Sequence, residues 1–144
     1  MRARFIVFLL LNIFLLTFSC KAKTDYREVK AKEGSIIISI SELGDAVPSF
    51  FSYRVNGKVV NFFVLRLGDN IESYLDACMK CYPHKMGFRV EGFYLVCRYC
   101  NVRYPLDSLK EGAGSCFPIP LKGKIDGDKY IIDASLLKDS LRYF

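Results

Sequence analysis

The order of hydrophobic and polar positions divides the chain into an apolar start, a short charged stretch and a longer part with the pattern of β-strands. Residues 1–20 contain arginines followed by an apolar run, and residues 21–34 are charged without apolar periodicity. From residue 35 onward, short runs of β-branched and aromatic residues alternate with Gly, Asn and Asp, as expected of strands joined by turns. We therefore predict one domain over residues 35–144, preceded by an N-terminal anchor and by a tether or extended edge segment.

A β-hairpin is the most strongly indicated element of this domain. Asn56-Gly57 favours a two-residue turn with positive φ, and its flanks, Ser49–Val55 and Lys58–Leu67, are rich in aromatic and β-branched residues. The other predicted elements are strands over Ser35–Ser41, Phe93–Cys97 and Tyr130–Ile132, a strand or helical turn over Ile71–Cys78, a helical turn over Leu106–Lys110, and a helix capped by Asp133 that runs through Leu136, Leu137 and Leu141.

These elements together predict a mainly β (α+β) fold. It is a small antiparallel sheet domain with a cysteine-rich metal-binding insert over about residues 76–121 and a short C-terminal helix.

The first 20 residues have the pattern of an export signal. Two arginines precede an apolar run over residues 5–18, which is short for a membrane-spanning helix. The run ends at Cys20 in a sequence that resembles a bacterial lipobox, although Thr17 stands where such motifs usually have Leu. We therefore expect the domain on the extracytoplasmic (periplasmic) face of the cell membrane, held by lipidation of Cys20 or by an uncleaved N-terminal helix.

The formal net charge of +6 at pH 7 changes this picture little. The basic residues are scattered, apart from a modest cluster over residues 21–32, and no basic helix or aromatic-basic platform is present, so nucleic-acid binding is not predicted. The cluster suits a tether beside an anionic membrane or a solvated flexible stretch. The sequence shows no Ser/His/Asp set, paired-carboxylate motif, phosphate loop or dinucleotide fingerprint, which favours a non-catalytic protein.

The candidate chemistry lies in five cysteines of the domain. Cys78 and Cys81 form one CxxC pair, and Cys97 and Cys100 form a second pair, with 15 residues between the two pairs. Another 15 residues separate Cys100 from Cys116. Two CxxC turns at this separation predict one four-thiolate site, because each tight turn aims both of its sulfurs at one point. Thiolates suit zinc, iron–sulfur clusters, mononuclear iron and Cu(I).

Three other interpretations of the cysteines stay open at this point. The first is structural zinc, which the same residues satisfy. The second is disulfide bonding, although an odd number of cysteines leaves one unpaired and a CxxC disulfide closes a very small loop. The third is a thioredoxin-like dithiol, although that site needs a CxxC at the start of a helix in a βαβ unit, which the pattern lacks.

Several residues near the cysteines are further candidates, each with an ordinary alternative. His84, the only histidine, is a mixed-set ligand or a surface-loop residue, and Met79 and Met86 are thioether ligands or gap-filling side chains. Four tyrosines are expected to shield the sulfurs or to pack in the core: Tyr82, Tyr94, Tyr99 and Tyr104. Four cations are expected to lower the thiolate pKa values or to form a solvated face: Lys80, Lys85, Arg98 and Arg103.

A characteristic pattern runs through this part of the chain. It consists of Cys78-Met-Lys-Cys81-Tyr-Pro, Leu95-Val-Cys97-Arg-Tyr-Cys100, Arg103-Tyr-Pro105 and Gly114-Ser-Cys116-Phe-Pro118-Ile-Pro-Leu121. The pattern resembles the FtrD-like family of membrane iron–sulfur proteins. The similarity is specific over residues 78–121 and extends in outline over residues 49–133, with Ser115 and Phe117 departing from the usual family residues.

The resemblance implies that Cys78, Cys81, Cys97 and Cys100 hold an iron–sulfur cluster or iron, with zinc as the alternative metal. Cys116 matches the family's fifth cysteine and is expected to be a further metal ligand, a thiol beside the ligands or an exchange point for metal, unless it merely packs. Because the family is associated with iron uptake, the resemblance also implies electron transfer or metal handling. The implied partners are an iron permease or periplasmic iron-binding components.

Overall fold

The computed structural model describes residues 24–111 and 114–144, so the predicted anchor and the start of the tether lie outside the described residues. The strands are β1 Arg27–Val29, β2 Ser35–Ser39, β3 Ser49–Val55, β4 Lys58–Leu67, β5 Asn70–Cys78, β6 Phe88–Glu91, β7 Tyr94–Cys97, β8 Arg103–Pro105, β9 Pro118–Leu121, β10 Gly123–Asp126 and β11 Lys129–Asp133. Within the described residues, the α-helix is α1, Ala134–Asp139, and a 3₁₀ turn over Ser140–Tyr143 follows it.

A five-stranded sheet in the order β1-β3-β4-β5-β9 is the centre of the fold. Its pairs are antiparallel except for β1, which lies parallel to β3. Two three-stranded antiparallel sheets, β10-β11-β2 and β6-β7-β8, complete the architecture. The prediction of a mainly β fold with antiparallel sheets, a cysteine cluster and a short C-terminal helix is therefore confirmed.

Two separate cores lie against the five-stranded sheet, because successive side chains of a strand point to opposite faces. The first core consists of Ile36, Ile38, Leu43, Phe51, Val60, Phe62, Val64, Leu75, Ala77, Ile119, Leu121, Tyr130, Ile132 and Leu137. The second core consists of Phe50, Phe63, Leu65, Tyr74, Cys78, Cys81, Phe88, Leu95, Cys97, Tyr104, Leu106, Leu109 and Cys116. Strand β5 contributes Leu75 and Ala77 to the first core and Tyr74 and Cys78 to the second, so alternation decides where the cysteine lies.

The elements with the clearest local signals have the predicted bounds. Strands β3 and β4 begin and end as predicted, and Asn56 and Gly57 between them have φ of 51° and 74°. The Ile71–Cys78 segment lies in strand β5 and does not form a helical turn. Asp133 caps α1, because its Oδ1 accepts a 2.8 Å hydrogen bond from the backbone N–H of Ser135.

Several elements differ at their ends from the prediction. The helix α1 ends at Asp139, and Leu141 lies in the 3₁₀ turn that follows it. Strand β2 stops at Ser39, because Ile40 begins a 3₁₀ turn closed by the Leu43 N–H donating to its carbonyl at 3.1 Å. Strand β7 begins at Tyr94, and Phe93 is 80% exposed in the turn before it. The helical turn after Pro105 is a 3₁₀ turn of three residues, Leu106–Ser108.

The segment between the predicted anchor and the domain joins the fold through an edge strand. Arg27 to Val29 pair with Phe51 to Tyr53 of β3. Within residues 24–111 and 114–144, none of the helices has the length and apolar character needed to cross a bilayer.

Candidate metal centre

Each CxxC pair begins at the end of a strand and continues into a tight turn. Cys78 ends β5, and its carbonyl accepts a 3.1 Å hydrogen bond from the Cys81 N–H. Cys97 ends β7, and its carbonyl accepts a 2.9 Å hydrogen bond from the Asn101 N–H. Because these short-range bonds fold each turn back on itself, both cysteines of a pair face the same region.

The pairing of β5 with β9 brings the fifth cysteine to the same place. Cys78 lies opposite Pro118 in this pairing, and the Met79 N–H donates to the Phe117 carbonyl at 2.9 Å. Cys116 lies two residues before Pro118 and is buried. The loop that ends in β9 therefore places the Cys116 thiol beside the first CxxC turn.

The five sulfurs form one compact cluster. The Sγ atom of Cys116 is 3.1 Å from that of Cys78, 3.3 Å from that of Cys100 and 3.9 Å from that of Cys81. Two groups of three sulfurs, Cys78/Cys81/Cys97 and Cys81/Cys100/Cys116, each lie within 4.8 Å of one another and share Cys81. All five cysteines are free thiols, and Cys100 is the exposed one, so the cluster opens to solvent on its side.

The ionisation of these thiols is strongly perturbed. Burial, together with the neighbouring thiols, raises the pKa of Cys116 to about 12 and also raises the pKa of Cys81. Burial opposes the ionisation of Cys78 and Cys100 too, but hydrogen bonds from neighbouring thiols and backbone N–H groups hold the pKa of each below its ordinary value. Several thiolates so close together need a compensating positive charge, which a bound metal supplies.

The donor set fits a soft metal ion or an iron–sulfur cluster. Both groups of metal-ligand side chains found in the described residues consist of cysteines alone, and sulfur ligation of this kind is typical of zinc, iron and iron–sulfur centres. The cysteines Cys78, Cys81, Cys97, Cys100 and Cys116 are the residues that could hold such a group.

The other candidate ligands are exposed, unlike the four buried cysteines. His84 is exposed and stacks on Tyr99, with ring centroids 3.5 Å apart and an interplanar angle of 9°. Met79 and Met86 are 37% and 48% exposed. The stack of His84 on Tyr99 links the turn after Cys81 to the second CxxC turn, so the histidine has a packing role here.

The four tyrosines have different environments. Tyr104 is buried beside the cysteines, whereas Tyr94 and Tyr99 are exposed, at 41% and 49%. Tyr82 is half-buried and meets the ring of Tyr143 edge-on, with centroids 5.1 Å apart. Tyr104 is therefore the tyrosine best placed to keep water from the sulfurs.

The basic residues make contacts away from the sulfurs. Arg103 pairs with Glu91 at 2.9 Å, and the Nε of Arg98 donates to the Phe88 carbonyl at 2.7 Å. Lys80 and Lys85 are exposed. The main influences on the cysteine pKa values are burial, other thiols and backbone N–H groups, so the expected lowering by these cations does not dominate.

A buried carboxylate beside the site was not predicted from the sequence. Asp76 is 5% exposed and accepts hydrogen bonds from the Tyr26 hydroxyl at 2.5 Å and the Phe88 N–H at 2.7 Å. Burial raises its pKa to about 6, although these hydrogen bonds and the nearby Arg98 oppose the rise. The available signal was its position two residues before Cys78, since residues i and i+2 of a strand share a face.

The same region contains a small cavity and a close backbone approach. A cavity of about 70 Å³ is lined by Tyr26, Asp76 and Cys97, among other residues. Gly87 has φ of 63°, and a Cβ at this position would overlap the Asp76 carboxylate. Glycine therefore serves here both for its backbone conformation and for its lack of a side chain.

The Tyr104 hydroxyl is buried beside the cluster and makes no hydrogen bond. Burial, the adjacent Cys116 thiol and the charges of Cys78 and Cys100 raise the pKa of this phenol. A buried donor without a partner is uncommon in folded proteins.

A small β domain in which two CxxC turns bring buried thiols together has the architecture of a thiolate metal-binding domain. Residues 43–144 match the family described as "Membrane iron-sulfur containing protein FtrD-like", and the chain belongs to this family. Family membership and the cysteine cluster support a metal-binding, iron-related role, and the family description supports membrane association. None of the curated proteins matches the sequence.

Among solved structures, the chain is similar to the "Ferredoxin of carbazole 1,9a-dioxygenase from Nocardioides aromaticivorans IC177". The sequences are 18% identical, the TM-score is 0.42, and the similarity covers 67% of this chain and 92% of that chain.

Proposed function

We propose that this protein is an extracytoplasmic, membrane-anchored binder of iron or an iron–sulfur cluster, and that it transfers electrons or handles metal for an iron-uptake system. Cys78, Cys81, Cys97 and Cys100 are the ligands, and Cys116 lies among them. The proposed partner is an iron permease or a periplasmic iron-binding component. The bound group supplies either one-electron chemistry or the metal that is passed on.

The convergence of five free thiols carries this proposal. Four of them are buried, and the sulfurs of Cys78 and Cys116 are 3.1 Å apart. In a cluster of this kind, metal binding offsets the repulsion between thiolates and the cost of burying them. The exposure of Cys100 provides a side from which electrons or metal can be exchanged with a partner.

The described end of the N-terminal segment supports a position close to the membrane. Thr24 contacts Arg98, which is the residue after Cys97, and the Tyr26 hydroxyl donates to Asp76, which lies two residues before Cys78. Thr24 follows Cys20 by four residues, a length that spans at most about 14 Å when extended. If Cys20 is lipidated, the contacts of Thr24 and Tyr26 hold the thiol cluster close to the bilayer surface and to a membrane-embedded partner.

Anaerobic purification of the full chain from membranes tests the proposed cofactor. We expect a brown protein with broad visible absorption and stoichiometric iron by elemental analysis. A serine variant of both Cys78 and Cys97 is the matched control and should be colourless. Stoichiometric zinc in a colourless wild-type protein would instead establish a structural zinc module. A metal-free protein with titratable disulfides would establish dithiol or heavy-metal chemistry.

Metabolic labelling with a palmitate analogue tests the proposed anchor. We expect label on the wild-type protein and none on Cys20→Ala. A wild-type protein that stays in the membrane fraction without label would favour an uncleaved N-terminal helix, and one found only in the soluble fraction would contradict membrane anchoring.

A further inference from the structure

The Tyr104 hydroxyl stands out among the buried polar groups. Over residues 24–111 and 114–144, it is the buried side-chain oxygen or nitrogen without a hydrogen-bond partner. Tyr104 is 1% exposed on β8, opposite Leu95 of β7, and its ring packs edge-on against Phe88. An apolar ring would fill the same space without an unpaired donor, so packing alone does not explain the hydroxyl.

Tyr104 belongs to the second core together with Cys78, Cys81, Cys97 and Cys116. The adjacent Cys116 thiol also contributes to raising the pKa of the Tyr104 hydroxyl. Cys116 lies within 4 Å of the sulfurs of Cys78, Cys81 and Cys100. An ion held between those three sulfurs therefore lies against the Cys116 sulfur as well. A neutral thiol is a weak acceptor, but a metal-bound thiolate is a strong one.

We infer that Cys116 is a ligand of the metal-loaded protein and that the Tyr104 hydroxyl donates a hydrogen bond to its sulfur. This inference rests on the proposed function and extends it to one positioning residue. When metal binds, the Cys116 thiol loses its proton to solvent, and the Tyr104 hydroxyl gains the acceptor that it lacks in the metal-free protein. The hydrogen bond fixes the thiolate and reduces the electron density that it gives to the metal.

The test uses Tyr104→Phe, which removes only the hydroxyl, in the full chain purified anaerobically in detergent. Tyr130→Phe is the matched control, because Tyr130 is also buried but its hydroxyl is hydrogen-bonded to Ser73 at 2.9 Å. Co(II) is the probe, because its thiolate charge-transfer bands report on the ligand sulfurs. The readouts are the thermal midpoint of the metal-free protein, the Co(II) affinity and the band positions.

The two variants are expected to change the melting temperature of the metal-free protein differently. Metal-free Tyr104→Phe should melt at or above the wild-type temperature, because it loses an unpaired buried donor, whereas metal-free Tyr130→Phe should melt below it. Tyr104→Phe should bind Co(II) about 10- to 100-fold more weakly, with charge-transfer bands moved to lower energy. Tyr130→Phe should leave both Co(II) readouts unchanged.

Cys116→Ser completes a double-mutant cycle. It should weaken Co(II) binding while four thiols still hold one equivalent at saturation, and adding Tyr104→Phe should then have little further effect. Unchanged Co(II) affinity and bands in Tyr104→Phe, or a metal-free Tyr104→Phe that melts lower or fails to fold, would overturn the inference while leaving the proposed function intact. A wild-type protein that binds no metal would overturn both.

Discussion

The two cores on opposite faces of the central sheet differ in how completely their buried polar groups are hydrogen-bonded within the chain. In the first core, the Ser73 hydroxyl donates to the Leu121 carbonyl at 2.7 Å and is hydrogen-bonded to the Tyr130 hydroxyl at 2.9 Å. The hydroxyls of Ser73 and Tyr130 are therefore both paired. In the second core, the Tyr104 hydroxyl has no partner and buried thiols such as Cys116 lie against one another. The comparison indicates that the first core pairs its buried polar groups without a ligand. The second core leaves buried polar groups that a bound group would pair.

The structural elements around the two cores also differ, because the strands that close the second core are shorter. The first core is closed by strands β2 and β11, which are five residues long, and by the helix that carries Leu137. The second core is closed by the three short strands β6, β7 and β8 and by the cysteine turns. Short strands make few hydrogen bonds with their neighbours. We therefore expect the stability of the second core to depend more on metal binding than that of the first.

Removing one metal ligand should have the largest effect on stability, and it should disturb the second core more than the first. Cys97→Ser is expected to lose bound metal and to lower the melting temperature by more than about 10 °C, because thiolate ligation is coupled to folding. Amide hydrogen exchange should accelerate in β6–β8 and stay slow in β2 and β11. Unchanged metal content and melting temperature in this variant would contradict the four-thiolate site.

Truncation in the first core should destabilise the protein whether or not metal is bound. Leu137 is fully buried, and Leu137→Ala should lower the free energy of unfolding by about 2–5 kcal/mol through lost burial and a residual cavity. Denaturant titrations of the metal-loaded and metal-free forms should give similar losses, with metal stoichiometry unchanged. Loss of metal from this variant would show that the two cores are coupled.

Filling the space beside Asp76 should disturb the second core selectively. Gly87→Ala combines a positive φ with overlap on the buried carboxylate, and should lower the free energy of unfolding by about 2–4 kcal/mol. Gly92→Ala is the control, since Gly92 has φ of 59° but no atom near its Cβ position, and should cost about 1–2 kcal/mol. Equal losses in the two variants, measured by denaturant titration, would mean that the Asp76 contact is unimportant.

The smallest effect is expected at the cap of the helix that covers the first core. Asp133→Ala removes the oxygen that accepts from the Ser135 N–H and should lower the melting temperature by a few degrees, with or without metal. Asp133→Asn keeps an accepting oxygen and should retain most of the stability. A drop confined to the metal-loaded protein would contradict this local role.

The sequence predicts the parts of the fold that depend on neighbouring residues. Asn56-Gly57 defines its hairpin because few other residue pairs tolerate two positive φ angles in succession. Asp133 defines the start of its helix because its side chain bonds two residues ahead. The ends of β2 and β7 were less predictable, because a long-range contact, such as the Ile40 N–H donating to the Asp128 carbonyl at 2.9 Å, helps to decide where a strand stops.

By itself, the sequence determined the hairpin turn, the strands on either side of it and the two CxxC turns, since each arises from interactions over a few residues. The short strands β1, β6, β8, β9 and β10 were not predicted. Only the tertiary structure decided that Cys116 joins those turns, that Tyr26 reaches Asp76, and that the Tyr104 hydroxyl is buried without a partner. These contacts join residues far apart in the chain and depend on strand pairing and on the stacking of sheets. No local pattern encodes such pairing, because the same alternation of side chains is compatible with several strand neighbours.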